Sequence, residues 1–338
     1  MSLLIDLHAH AIPAEFPAVE GWPAMEPAGA GGERLFTFGP VRYTAQRAWF
    51  DAEQRLAAMA ASGVTAEVIS PFPPLLTYRL PAPSARDLGR WINDFIAGLC
   101  QAGPGRFFGL GTVPLQDPDL AAAELSEVAK TGLAGVEIGS TIDGASLDDD
   151  RFEGFFAEAE RLRTPIFVHA AGHPDTTGRV PAAAVPTFGM MTEIGLAAAA
   201  IITGGVAENH PGLRLAFSHG AGGFPLMLPR ANWFWGRTWN EEPPAEPGAP
   251  GQPSPAAYAR RFFYDALVFD RRALRFLIDM IGPGQLLVGS DFPAMPREEP
   301  AGRTLRSMGL PGPVLDQITW DNCFRFLGID PPAPRADI

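Results

Sequence analysis

Ile5-Asp6-Leu7-His8-Ala9-His10 is the stretch from which the fold of this chain is read. An apolar run, Leu3 to Ile5, leads into two histidines separated by one residue. Side chains alternate along an extended strand, so the two imidazoles project to one side. Two imidazoles on one face at the end of a buried strand are half of a metal site. A third donor stands at His169, closing Thr164-Pro-Ile-Phe-Val-His169, and a fourth at Asp291, closing Gln285-Leu-Leu-Val-Gly-Ser-Asp291. Each lies where a short apolar strand gives way to a Gly/Pro-rich loop. An isolated histidine is ordinarily a packed or surface residue. Three of the chain's six, joined by an aspartate, form a pattern.

Outward from that stretch, strands and helices alternate. After a first strand at Leu3–Leu7, residues 14–45 break the rhythm. Within them Arg34–Phe38 and Val41–Thr44 read as a small hairpin, an inserted lid. A helix follows at Asp51–Ser62, stopped by Gly63. Strand two is Thr65–Ser70, then a helix over Ala85–Gln101. Strand three is Phe107–Thr112, then a helix over Pro118–Lys130 with Asp117 as N-cap. Strand four is Gly135–Ile138, then a helix over Asp149–Arg161; strand five, Pro165–Val168, ends on His169. A long helix is expected over Met190–Glu208. Strand six, Leu213–Ser218, ends on His219, and a helix is expected over Phe224–Trp239. Residues 240–256 are a Pro/Gly-rich loop insertion. Strand seven begins at Phe262–Tyr264, a helix spans Arg271–Ile281, and strand eight is Gln285–Gly289. The segment Gly302–Gly328 supplies closing helices. Eight strands, each followed by helical sequence, predict an α/β fold, a (β/α)8 TIM barrel making one domain of residues 1–338. In such a barrel the C-terminal strand ends meet at one mouth. Donors from strands one, five and eight therefore converge on closure.

Composition bounds the partners. A net charge of −12 disfavours nucleic acid and anionic membranes. The two cysteines, Cys100 and Cys323, have no metal spacing and read as buried thiols of a reducing compartment. No charged-then-apolar leader precedes residue 3 and no apolar run is expected to span a membrane, so the expected location is cytoplasmic.

Six stretches carry a family resemblance: Asp6-Leu-His-Ala-His10, Phe167-Val-His169, Gly204-Gly-Val-Ala-Glu208, Phe217-Ser-His-Gly-Ala-Gly-Gly-Phe-Pro225, Tyr264-Asp-Ala-Leu267 and Leu287-Val-Gly-Ser-Asp-Phe-Pro293. In this ordered set the chain resembles the metal-dependent amidohydrolase superfamily, in the branch of α-amino-β-carboxymuconate-semialdehyde decarboxylase and related aromatic-acid decarboxylases. The resemblance implies that His8, His10, His169 and Asp291 bind one divalent ion, with Asp291 at the reacting centre beside His219, the catalytic acid/base. An imidazole is suited to that role because it titrates at ~6.5. A fifth-ligand or packed role for His219 is the alternative. Three imidazoles and a carboxylate suit zinc, with manganese as the other choice. Many superfamily relatives bridge two metals with a carbamylated lysine on strand four. Here that strand reads Gly135-Val-Glu-Ile-Gly139, and the chain's only lysine is Lys130. That centre is excluded, and Glu137 reads as an inward carboxylate at the site floor.

The resemblance further implies non-oxidative decarboxylation of an unsaturated or aromatic carboxylic acid. Metal-assisted hydrolysis of a lactone or amide on the same site is the alternative, and an inactive metal-binding barrel is the third reading. A small carboxylate substrate in an acidic protein calls for local arginines, and bidentate pairing makes Arg the natural clamp. Arg47 and Arg230 are the candidates. In the resembling decarboxylase an arginine at the Arg230 position reaches the neighbouring subunit's site, which implies a homodimer here, with Trp233, Phe234, Trp235 and Trp239 as core or interface. Arg47 reads equally as a solvated hairpin residue. Phe72, after strand two, lines the substrate pocket or simply packs; His173, after strand five, contacts substrate or shapes its loop. His210 reads as a surface cap, and Asn322 as structural.

Overall fold

A computed structural model describes residues 3–76, 78–236 and 254–331. Eight parallel strands, predominantly apolar, pair in sequence order: β1 (Ile5–Ala11), β5 (Ala66–Pro71), β6 (Phe107–Gly111), β7 (Gly135–Gly139), β8 (Ile166–His169), β9 (Leu215–Phe217), β10 (Phe263–Asp265) and β11 (Leu286–Leu287). The ring is closed by backbone bonds from the start of the chain to the segment after β11. Leu7 N–H donates to the Val288 carbonyl at 2.8 Å, Asp291 N–H to the His8 carbonyl at 2.8 Å and His10 N–H to the Phe292 carbonyl at 2.7 Å. This is the expected (β/α)8 barrel.

Between the strands run α1 (Ala52–Ser62), α2 (Ala82–Ala102), α3 (Pro118–Lys130), α4 (Glu153–Leu162), α5 (Pro174–Thr177), α6 (Met190–Thr203), α7 (Val206–Asn209), α8 (Phe224–Ala231), α9 (Pro255–Ala259) and α10 (Arg271–Ile281). Their ends follow local chemistry. Asp117 caps α3 by accepting from Leu120 N–H at 3.1 Å, and Gly63 ends α1 at φ 75°, a backbone region costly for residues with a Cβ. Ile5, Leu7, Val68, Leu110, Phe167 and Leu287 fill the barrel interior, and Phe324, Phe326 and Leu327 of the closing helix Asn322–Leu327 join that cluster. The floor is sealed, so chemistry belongs at the other end.

Four expectations change. The insertion after β1 is a three-stranded antiparallel sheet rather than a hairpin, because Ala24–Pro27 (β2) adds to β3 (Arg34–Phe38), which also pairs with β4 (Val41–Ala45). The long helix predicted over Met190–Glu208 breaks at Gly204 and Gly205, the latter at φ 101°, giving α6 and α7. Among the described residues, the helix predicted over Phe224–Trp239 continues beyond α8 as a wider turn, Asn232–Gly236. Trp239 and the insertion as far as residue 253 lie outside the described residues. Finally, Ala182–Thr203 is long and apolar enough to span a membrane by length and composition. It packs as a barrel helix, with Ile194, Ala197, Ala198, Ile201 and Ile202 buried.

Candidate metal centre

β1 delivers both of its histidines inward, and its pairing with β5 shifts register between Asp6 and Ala9. A bulge of this kind re-aims side chains. It reconciles Leu7 in the interior cluster with its neighbour His8 at the mouth. His8 Nε2 and His10 Nε2 lie 3.1 Å apart, and Asp291 Oδ1 is 3.5 Å from the first and 3.1 Å from the second. His169 completes a set whose ligand atoms all lie within 4.8 Å of one another. Donors held ~2.1 Å from a tetrahedral ion stand ~3.4 Å apart, so the spacing fits one metal ion.

Each imidazole is oriented through its other nitrogen. His8 Nδ1 bonds Asp265 Oδ2 at 2.6 Å, His10 Nδ1 bonds the Pro71 carbonyl at 2.9 Å, and His169 Nδ1 bonds the Ala170 carbonyl at 3.0 Å. That fixes the tautomer and turns every Nε2 toward the common point. His169 Nε2 is buried without a hydrogen-bond partner in the protein, the state of a donor atom built for an ion. Gly289 makes the arrangement fit: a Cβ there would stand 2.8 Å from His8 Cβ and 3.0 Å from Asp265 Cβ.

The electrostatics follow from burial and close charge. Burial disfavours the His8 cation, but the Asp265 hydrogen bond and the Asp291 charge override it, and His8 is pushed up to about 9. His169 falls well below its ordinary range through burial and the neighbouring histidines. Asp291 falls despite burial, because His10 and His8 face it. Glu137, fully buried and 3.7 Å from His10 Nδ1, is pushed up to about 7 by burial.

His219 stands beside this set. Its ring centroid is 5.1 Å from that of His8 and 5.2 Å from that of His169, and its Nε2 is 4.0 Å from Asp291 Oδ2. Burial, then the positive charge of His8, lowers it to about 4. His219 and Asp291 are both non-glycine residues in the left-handed region, at φ 55° and 59°. Such conformations cost of order 1 kcal/mol or more and concentrate at functional sites. Gly222 follows at φ 56°, and a side chain there would collide with the Met191 carbonyl of α6.

The other candidates lie as follows. Arg47 forms an exposed i,i+4 ion pair with Asp51. Phe72 packs among Trp49, Tyr43 and Phe36, at 4.8, 5.6 and 5.8 Å between ring centroids. His173 caps α5, its Nδ1 accepting from Asp175 N–H at 3.3 Å. Arg230 lies over the Phe234 ring at 5.1 Å, in an apolar groove of about 490 Å³ with Phe188, Leu196 and Met227. His210 is a correction: it is buried, 3.2 Å from Glu153 and 3.3 Å from Glu160, because α7 turns it inward. Lys130 pairs with Glu127 at 2.7 Å on the exposed end of α3.

Comparison with known proteins gives the family. The family model described as amidohydrolase matches residues 5–329. The chain belongs to the amidohydrolase family. It is 30% identical over 342 residues to 2-amino-3-carboxymuconate-6-semialdehyde decarboxylase of Dictyostelium discoideum, covering 98% of this chain and 93% of that protein. In fold the amidohydrolase matches the crystal structure of 5-carboxyvanillate decarboxylase from Sphingomonas paucimobilis, with a TM-score of 0.79 at 24% identity over 98% of this chain and 100% of the other. It also matches the Novosphingobium aromaticivorans 5-carboxyvanillate decarboxylase complexed with manganese and 4-hydroxy-3-methoxy-5-nitrobenzoic acid, with a TM-score of 0.72 at 23% identity over 83% and 81% of the two chains.

Two residues of this amidohydrolase were not singled out by sequence. Asp265 orients His8 and also accepts from Gly220 N–H at 3.0 Å and Leu267 N–H at 3.1 Å, tying the His219 loop to the metal set. Its signal was its place at the end of strand seven, inside Tyr264-Asp-Ala-Leu267. Glu193, buried on α6, accepts from Ala171, Gly172 and His173 N–H at 2.8, 3.0 and 2.6 Å and so knots the loop after His169. A lone acid on an Ala-rich helix carries no such signal.

Proposed function

We propose that this amidohydrolase catalyses the metal-dependent, non-oxidative decarboxylation of an unsaturated or aromatic carboxylic acid. One divalent ion, zinc with manganese as the second choice, is held by His8, His10, His169 and Asp291. The ion supplies positive charge that holds substrate oxygens and acidifies what binds to it. The observation carrying the reading is that His219 adjoins the four-donor set without being needed in it, 4.0 Å from Asp291 Oδ2. His219 rests neutral at pH 7, because burial lowers it. It therefore begins as a proton acceptor from a substrate hydroxyl or water and returns that proton to the carbon bearing the carboxylate. The carbon–carboxylate bond then breaks, its electron pair remains with the ring or diene carbon, and carbon dioxide leaves. The free oxygen of Asp291 faces His219 and steadies its protonated form.

The full-length relationship to a named decarboxylase supports the reaction class, and manganese in a fold neighbour supports a divalent ion. The protein is further proposed to act as a homodimer. The exposed Phe188, Leu196, Met227 and Phe234 surround Arg230, residue types enriched at interfaces. Incubation with a panel of aromatic and unsaturated carboxylic acids should release carbon dioxide. Ring opening of lactones or amide cleavage, with no carbon dioxide from any acid, would replace decarboxylase with hydrolase.

A further inference from the structure

Behind the metal donors, on the outer side of β1, lies a second buried cluster: Asp6, Arg55, Glu67 and Arg297. Two cations and two anions sit together, their side chains at most 3% exposed. Arg297 is the bridge. Its Nε donates to Asp6 Oδ2 at 2.9 Å, its Nη2 pairs with Glu67, and its guanidinium lies 3.9 Å from the centre of the Phe292 ring. Glu67 in turn accepts from Arg55 Nε at 2.7 Å.

Two members of the cluster, Asp6 and Arg55, end on the backbone of a metal donor. Asp6 Oδ1 accepts from His8 N–H at 3.2 Å, and Arg55 Nη1 donates to the His10 carbonyl at 2.8 Å. The Phe292 carbonyl accepts His10 N–H at 2.7 Å, so the ring beneath Arg297 belongs to the residue that holds His10 from the other side. Ser290 donates its hydroxyl to Asp6 and accepts Phe292 N–H at 3.3 Å, bracketing Asp291. Asp291 itself is held at φ 59°, a conformation its neighbours must enforce. Of the four donors only His169 lies outside this arrangement.

We propose that Arg297 is a positioning residue of the metal centre, fixing the backbone of His8, His10 and Asp291 through Asp6, Glu67 and Phe292 so that their donor atoms are preset for one ion. A buried pair of ion pairs is a poor source of net stability, since desolvation offsets much of the attraction. Geometry is what a planar guanidinium can supply and a point charge cannot: two carboxylates and an aromatic face engaged at once. The inference rests on the four-donor metal reading given above.

The test is the metal dissociation constant, measured by competition with a chromophoric chelator. It is run on full-length wild type, Arg297→Lys and Arg297→Gln, with metal-free melting temperature recorded in parallel. Arg297→Lys keeps the buried charge and so protects folding while losing the fork and the stacking. Loss of groups supporting metal ligands typically weakens affinity 10–100-fold, and that range is expected for Arg297→Lys. The visible spectrum of the cobalt(II)-loaded variant should also shift, which a residue serving only stability would not cause. Arg90→Gln, which breaks the remote bidentate pair with Glu124, should leave the affinity unchanged. A folded Arg297→Lys with wild-type affinity and spectrum overturns the role of Arg297. Wild-type protein that takes up no ion overturns the metal reading, and this proposal with it.

Discussion

Replacing Asp265 with asparagine removes one charge and almost no volume from the wall of the metal centre. In the native site one carboxylate oxygen accepts from His8 Nδ1 at 2.6 Å and the other accepts from Gly220 and Leu267 N–H at 3.0 and 3.1 Å. An amide has one carbonyl oxygen, so its NH2 must face either the His8 N–H or the two backbone donors. His8 is fully buried and raised from 6.5 to about 9, which is about 3 kcal/mol in favour of positive charge at that ring. Burial opposes this rise, and the Asp265 bond shares the favourable part with Asp291. Loss of a group that supports a metal ligand typically weakens affinity about 10–100-fold, and that range is expected for Asp265→Asn. Chelator competition on Asp265→Asn measures the affinity, and circular dichroism checks the fold. A folded variant binding its ion within twofold of wild type would refute the view that Asp265 sets the charge and tautomer of His8.

Freshly purified protein should contain about one divalent ion per chain, unchanged in Glu137→Gln; two ions falling to one in that variant would make Glu137 a ligand. His219→Asn should keep the ion and lose ~10²–10⁴-fold in turnover, whereas loss of the ion would make His219 a ligand. With His8 at about 9, metal-free protein at pH 7 carries a proton there that the ion displaces. Uptake should therefore release about one proton, and affinity should rise as pH climbs towards 9; calorimetry in buffers of different ionisation heat should show that release. Mixing His219→Ala chains with Arg230→Ala chains should restore activity if Arg230 acts across a dimer, while mixed dimers that stay inactive confine Arg230 to its own subunit.

The barrel was legible because its signals are local and repeated. Apolar runs of strand length, capped helices such as the one behind Asp117 and stops such as Gly63 each depend on a few neighbouring residues. The errors fell where register or packing overrides local pattern. Ala24–Pro27 has no alternation of its own and becomes a strand only by pairing with β3. His210 looks like a surface cap in Asn209-His210-Pro211, yet α7 packs it against α4, between Glu153 and Glu160.

For the metal centre the division is sharper. The sequence by itself determined which side chains stand within or just after the barrel strands, since residue type and apolar periodicity are written locally: His8, His10, His169, His219 and Asp291. Only the tertiary structure decided which nitrogen each histidine offers. That choice depends on partners 61 residues away for Pro71 and His10, and 257 away for Asp265 and His8. It also decided that Asp6, Arg55, Glu67 and Arg297 are one neutral cluster. Oppositely charged residues scattered from position 6 to position 297 carry no periodic mark, and it takes barrel closure to remove them from water together and make their pairing obligatory.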